Sequence, residues 1–580
     1  MVVHCPPSNV VRPRLLSLVA AAVLLGCSAE HADRTQLLSS VGADSAIRHA
    51  MADGVSWPSY GRDYTNQRYS TLAQVDTTNV THLAPVWDFH SGIVSGYETS
   101  PIVVDGVMYV STPLNHVVAL DAETGAKKWE YTHHYATTID CCGPINRGVA
   151  VYGGRVFMGT VDARMVALEA ASGNKLWDVK VGENELGYHI TGAPVAVAGL
   201  VITGISCGEQ GGRCYVSAYD AATGALRWRF YTIPSPQDGG WWGSWRTTDA
   251  FGTDLGRDIA QEHQDSAAHG DTWKNGGAPM WHAPAVDTTL GLVYLNVGNP
   301  APDEDGNVRP GDNLYSCSFV AVELMTGKMR WYFQYMPHDL WDYDAAAPMV
   351  LVDVPDSTGH MVPAVAEPGK TGYAYVLDRR TGAPIRRSDL FVPHEHYMEK
   401  PTRAGVMISP STLGGSDWSP PAWNPVLGYL FVNGNYFPQL YKLKAEELER
   451  PAQYWGGAVL SPTGKDYGLY SAIDLGTGKI AWQYRTPRAM ISGSVATAGG
   501  LTFTGLSDGH FVAFNARSGK LLWDYRTKAG VNAPPITYSI HGRQYIAVAA
   551  GGNLPLNSIR GDELLVFALG STATGTGARK

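Results

Sequence analysis

Apolar positions fall in short β-rich runs, each broken by a Thr-Gly or Ser-Gly pair and followed by another short run. One spacing, A-x-[D/E/N]-x-x-[T/S]-G-x-x-x-W, occurs six times, ending at Trp129, Trp177, Trp228, Trp331, Trp482 and Trp523. A seventh, degenerate copy, VLDRRTGAPIR, ends at Arg386. Self-similarity of this kind marks a repeat fold. Each copy predicts strand, turn and strand, with the tryptophan packing between neighbouring units. A second strand pair of the type P-V-V-x-x-G-x-V-Y precedes each copy. These pairs begin near Thr99, Arg147, Gly192, His282, Ala347, Ser419, Gly493 and Ala533, which makes eight units. The last unit lacks a tryptophan strand, and LAPVWDF, with Trp87, can supply it. The reading is an all-β, eight-bladed β-propeller whose ring an N-terminal strand closes, so that no sheet edge stays exposed.

The predicted layout is a signal segment over 1–26, an approach segment over 27–82, the propeller over 83–570 with an insertion loop at about 234–279, and a disordered tail over 571–580. Arg12 and Arg14 precede the apolar run LLSLVAAAVLLGC, which reads as an export signal too short to span a membrane comfortably. Its end, LLGC, resembles a bacterial lipobox, with Cys27 as the lipidated residue; Ser28 after it points to the outer rather than the inner membrane. Export leads to an oxidising compartment where disulfides are permitted.

The 65 glycines and 17 tryptophans suit many short strands and tight turns. A formal net charge of −9 without a basic run argues against nucleic acid and against anionic lipid as partners. Of seven cysteines, Cys5 and Cys27 fall in the signal region. No C-x-x-C-H attaches a c-type haem, and no paired C-x-x-C set suggests zinc.

Adjacent cysteines, Cys141 and Cys142, stand five residues before Arg147 in CCGPINRG. With the tryptophan repeats and the span from WPSYGRDYTNQRYSTLAQV to GRQYIAVAAGG, this run resembles the quinoprotein alcohol dehydrogenases, which use pyrroloquinoline quinone (PQQ). The resemblance implies a Cys141–Cys142 disulfide as one flat face of the cofactor slot and Trp281, in GGAPMWHAP, as the other. A flat ring is well served by such walls. It further implies that Glu98, Arg147, Thr191, Ser206, Cys207, Gly208, Lys370 and Asn435 contact the cofactor, since a tricarboxylate needs cations and hydroxyl donors. Glu209, Asn299 and Asp342 fall at the family's metal-ligand positions, as hard oxygen donors should. The intervals Thr191 to Glu209 and Trp281 to Asn299 are both 18 residues, as in the family pattern. Cys207 departs from that pattern. It either bridges to Cys214 or stands as a free thiol near the quinone, and Cys317 is then the odd, buried cysteine.

The reaction so implied is oxidation of an alcohol to an aldehyde or ketone by hydride transfer to PQQ C5. The metal acts as Lewis acid and Asp342 as general base. With no haem in the chain, electrons pass to a separate acceptor, a periplasmic cytochrome c. Asp344 lies two residues beyond Asp342 and, in an extended segment, faces the same side. It resembles the added aspartate of lanthanide-using members, with calcium as the alternative metal. Two other readings remain: a PQQ-dependent sugar or polyol dehydrogenase, and a lipid-anchored outer-membrane scaffold built on the same repeat. The adjacent cysteines speak against the first, and the metal-ligand set against the second.

Overall fold

The computed structural model describes residues 55–135, 141–461 and 466–570. Cys27 and the rest of the signal segment, like the tail from 571, lie outside these residues. Among the described residues there are seven four-stranded sheets, one of five strands and one of three. Most large sheets are built from strands that follow one another in the chain, and Tyr69–Ser70 adds a parallel fifth strand beside Ser494–Thr497. The first runs through Ile102–Val104, Val107–Ser111, His116–Asp121 and Lys127–Thr132. The last departs from this rule: Leu83–Ser95 pairs antiparallel with Gly561–Leu569, matching Leu83 with Leu569 and Trp87 with Val566.

The repeat spacing has a direct physical meaning. Asp121 begins the turn, accepting the N–H groups of Glu123 and Thr124. Gly125 then takes φ +76°, and a Cβ there would stand 2.7 Å from the Trp87 ring. Glycine is required twice over, for the left-handed backbone and for the contact. The same contact recurs with Gly173 on Trp129, Gly224 on Trp177, Gly327 on Trp228, Gly382 on Trp331 and Gly519 on Trp482. The six tryptophans that end the repeats are also pinned by their indole N–H groups, as in Trp129 to the Ala170 carbonyl at 3.0 Å and Trp523 to the Leu83 carbonyl at 3.2 Å. Where the repeat ends in Arg386, the guanidinium reaches the Gly476 and Pro355 carbonyls instead. The pattern therefore encodes contact between successive sheets.

Two features were not evident in the repeats. Residues 57–70 run across the first strands of the sheets and stitch them together. Trp57 exchanges backbone hydrogen bonds with Val103, the Tyr64 hydroxyl donates to Ala196, and the Asn66 amide to Ala283 and Met349. The buried Arg68 guanidinium donates to the carbonyls of Tyr60, Ser494 and Pro535. The other feature lies between Tyr429–Tyr436 and Tyr467–Asp474, paired neighbours in one large sheet. There the chain leaves to form two strands of the small sheet, Gln439–Leu443 and Gly457–Leu460, with Val406–Ile408 as the third. The segment 234–279 carries no strand but holds a short helix, Ile259–Asp265. No helix among the described residues is long and apolar enough to cross a membrane.

Candidate active site

Site residues occupy two recurrent places in the repeat. Glu98, Arg147, Thr191, Trp281 and Asp344 come just ahead of a sheet's first strand, which starts at Ile102, Ala150, Val195, Ala285 and Val350 respectively. Glu209, Asn299 and Lys370 follow a second strand, ending at Gly204, Val297 and Pro368. Equivalent loops of successive sheets thus gather at one end of the molecule. Backbone bonds lock them together: the Ser100 N–H donates to the Arg147 carbonyl and the Arg147 N–H to that of Thr191, each at 3.0 Å.

They enclose a cavity of about 490 Å³. Its lining includes Cys141, Cys142, Arg147, Thr191, Ser206, Glu209, Trp281, Asp342, Asp344 and Lys370. Cys141 and Cys142 are joined, with Cα atoms 3.8 Å apart. Arg147 donates to the Thr191 hydroxyl at 3.0 Å and pairs with Glu98 at 3.1 Å. Its guanidinium lies 4.9 Å from the Trp281 ring centroid and 4.6 Å from that of Trp418, a cation–π sandwich. Burial raises the Glu98 carboxyl, which Arg147 and the Asn553 amide oppose.

The acidic wall has its own order. Asp344 accepts the Trp281 indole N–H at 3.0 Å and the Asn299 N–H at 2.8 Å. Asp342 pairs with Lys370 at 3.0 Å. Burial drives the Asp342 carboxyl well above its ordinary value; Lys370 opposes this and Asp344 adds to it. Burial works against the Lys370 charge, yet Asp342, Asp344 and Asp417 hold its ammonium well above the usual range. The two aspartates share the cavity, but not through the strand alternation expected from their spacing. Asp342 has φ +61°, in the left-handed region. The Asp339 carboxylate brackets this kink by accepting the N–H groups of Trp341 and Tyr343.

Among the described residues no three acidic, imidazole or thiol groups form a finished metal cage. The donors nevertheless fit a hard cation. The Asn299 side-chain oxygen is buried without a partner. Burial also raises Glu209, and the Asp344 charge adds to it. Four carboxylates facing one ammonium leave an excess of negative charge that a cation would neutralise.

Other expected contacts sit elsewhere. Cys207 is bonded to Cys214, so neither is a free thiol. Gly208 backs onto Pro279 and Asn299. Asn435 lies outside the cavity lining; its amide donates to the Leu413 carbonyl and its oxygen accepts the Met490 N–H. Sequence reasoning missed Trp418, Asp417 and Asn553, all in the lining. Trp418, like Trp281, stands outside the repeat's tryptophan position and just ahead of a first strand, which was the signal available. Thr412, Leu413, Gln439 and the segment 457–459 add a wall from the small sheet and its approach that no repeat announced.

Known proteins share this architecture. The family model of the PQQ-linked glucose/ethanol/alcohol dehydrogenase β-propeller domain matches residues 57–389 and 462–546. The chain is 34% identical to the quinoprotein alcohol dehydrogenase PedH of Pseudomonas putida, over 86% of each protein. It is also 34% identical to a lanthanide-dependent methanol dehydrogenase of Methylacidiphilum fumariolicum, over 85% of this chain and 84% of that protein. Among solved structures, a europium-containing methanol dehydrogenase superposes with a TM-score of 0.80 at 32% identity, over 91% of this chain and all of the other. With this cavity, and with a match that runs through most of its length, the chain belongs to the PQQ-dependent quinoprotein alcohol dehydrogenases.

Proposed function

We propose that the protein oxidises an alcohol to an aldehyde or ketone in this cavity, with PQQ and one metal ion, and passes the electrons to a separate acceptor of the cytochrome c class. One observation carries the reading. The Cys141–Cys142 ring, Trp281, Arg147, Thr191 and Ser206 line the same cavity as the four carboxylates of Glu209, Asp342, Asp344 and Asp417 and the Lys370 ammonium. Arg147, Thr191 and Ser206 suit the carboxylates of a planar tricarboxylate, and Trp281 and the Cys141–Cys142 ring suit its faces. Glu209, Asn299, Asp342 and Asp344 would hold the cation. When bound, PQQ supplies the two-electron acceptor that no side chain can provide. Asp342 takes the proton of the alcohol hydroxyl. Lys370, fixed by Asp342 and Asp417, keeps that carboxyl oriented and places positive charge beside the reacting atoms. The small sheet and the residues near Leu413 shape the alcohol-binding side. We infer further that the large sheets form eight blades and that Leu83–Ser95 closes the ring.

The test is to load the metal- and cofactor-free protein with PQQ and metal and follow the bound quinone by absorbance. A panel of alcohols and polyols with an artificial electron acceptor then reads turnover. A quinone band with alcohol-dependent reduction is expected. No band would refute the reading, and turnover of polyols alone would replace it with the sugar or polyol reading.

The same proposal places the protein in the periplasm, held to the outer membrane by lipid on Cys27. Cys27→Ser is expected to move it from the membrane to the soluble fraction, or to leave an unprocessed precursor. Unchanged fractionation would rule the anchor out.

A further inference from the structure

We propose that Glu304 is the exit gate through which protons produced in the catalytic cavity reach solvent, with Asp303 beside it on the inner side. The proposal rests on the function just described. Oxidation of an alcohol to a carbonyl releases two electrons and two protons. The electrons leave one at a time to the cytochrome-class acceptor. The protons need a separate route, because Asp342 must be free again before the next turnover.

The position of Glu304 supplies that route. One of its carboxyl oxygens lies 3.4 Å from the place a Cβ on Gly457 would occupy, and Gly457 lines the catalytic cavity. Glu304 itself lines a second cavity of about 240 Å³ on its other side. That cavity reaches the surface at Asp258, Gln261, Asn307 and Lys400, all exposed. Glu304 is therefore a thin partition between the site and an outlet. Asp303 and Glu304 are each only 1% exposed, yet no other residue's donor reaches either carboxyl oxygen of Glu304 or one of those of Asp303. Buried polar groups are almost always paired, and unpaired ones call for a functional account. Arg309, the cation whose charge acts on both, does not quench them. Its guanidinium donates to the backbone carbonyls of Pro302, Asp303 and Asp339 and to the Asn313 side chain.

The electrostatics agree. Asp303 is close enough to Asp342 for the two carboxyl groups to act on each other. Burial raises Glu304 to about 8; its own backbone N–H and then Arg309 oppose this, and the carboxylates of Asp339 and Glu446 reinforce it. In the outlet His338 is held down at about 3, by burial first and then by Arg309 and Arg257, so it is neutral. Glu262 is held low by Arg257 against its burial, so it stays charged. Glu304 is thus the group there that changes protonation near neutral pH. The proton moves from Asp342 by way of Asp303 to the Glu304 carboxylate, directly or through one water, and then to solvent. No bond other than O–H is made or broken.

The test compares wild type, Glu304→Gln and Glu304→Asp as holoenzymes. The carboxylate is the accepting form, so wild-type kcat should rise as pH passes about 8. Glu304→Gln should lower kcat by roughly tenfold or more, leave KM for the alcohol unchanged and abolish that rise. Added imidazole should restore its rate, and Glu304→Asp should keep most of the activity. An unchanged pH profile in Glu304→Gln, or a loss that imidazole does not relieve, would overturn the proposal. A second readout needs no turnover: the difference between the infrared spectra of cofactor-free wild type and Glu304→Gln should hold one carboxylic-acid carbonyl band, and that band should vanish near pH 8. If wild type oxidises no alcohol, the proposed function fails by itself. If that infrared band is absent, the gate fails whether or not the enzyme turns over.

Discussion

Replacing Asp344 with alanine is expected to abolish a preference for lanthanide over calcium. Asp344 shares the cavity wall with Asp342 and Glu209, and its two oxygens currently hold the Trp281 indole and the Asn299 N–H. Each oxygen could turn toward an ion placed beside the unpartnered Asn299 oxygen. An additional anionic donor favours a trivalent over a divalent cation, because the attraction grows with the ion's charge while the repulsion among the carboxylates is already present. Wild type loaded with PQQ should therefore be more active with a light lanthanide than with calcium. Lanthanide affinity should fall by about 100-fold or more in Asp344→Ala, taking the upper end of losses seen when only outer partners of a metal are removed. Alanine also frees Trp281 and Asn299, so Asp344→Asn is the control. It keeps an oxygen that can accept the Asn299 N–H but carries no charge, and it should lose the metal preference as well. Equal calcium activity in wild type and Asp344→Ala, with no lanthanide response in wild type, would refute the assignment.

The second large effect is expected at the vicinal disulfide. Changing both Cys141 and Cys142 to serine should lower kcat/KM by about 100-fold at limiting PQQ, since misplacing a reactant by an ångström can cost that much. The fold should be spared. A crosslink stabilises by shortening the loops open to the unfolded chain, and a bond between adjacent residues closes almost none. The melting temperature should therefore stay close to that of wild type, within the ordinary range for a surface substitution. The Cys207–Cys214 bridge, between residues seven apart, remains in place as an internal comparison. Full activity in a verified double variant would show that the ring is not a wall of the slot.

Within the chain itself, local rules were the legible part. The repeat names its own packing, because the glycine and tryptophan of each copy meet across neighbouring sheets, as Gly173 meets Trp129. A short-range pattern can specify such a contact when every unit makes it in the same way. Arg147, Thr191, Trp281 and Lys370 were expected through the family resemblance alone, and the structure sets them at loop positions flanking the repeat's strands, around one cavity. The tertiary structure alone decided whatever depends on a unique, long-range arrangement. Asp342 and Asp344 meet in one cavity through a left-handed kink that Asp339 brackets, not through the period of a strand. Arg68 joins strands more than 400 residues away because the free ends of inner strands need donors that the repeats do not contain. Trp418 becomes a partner of Arg147, and Glu304 a partition between two cavities, only when loops from different sheets are brought face to face. Sequence by itself determined the repeating unit and, through the family resemblance, the residues that carry candidate chemistry. Which side chains then meet, and with what charge, followed from packing many units side by side, where burial and proximity act between residues that no local pattern connects.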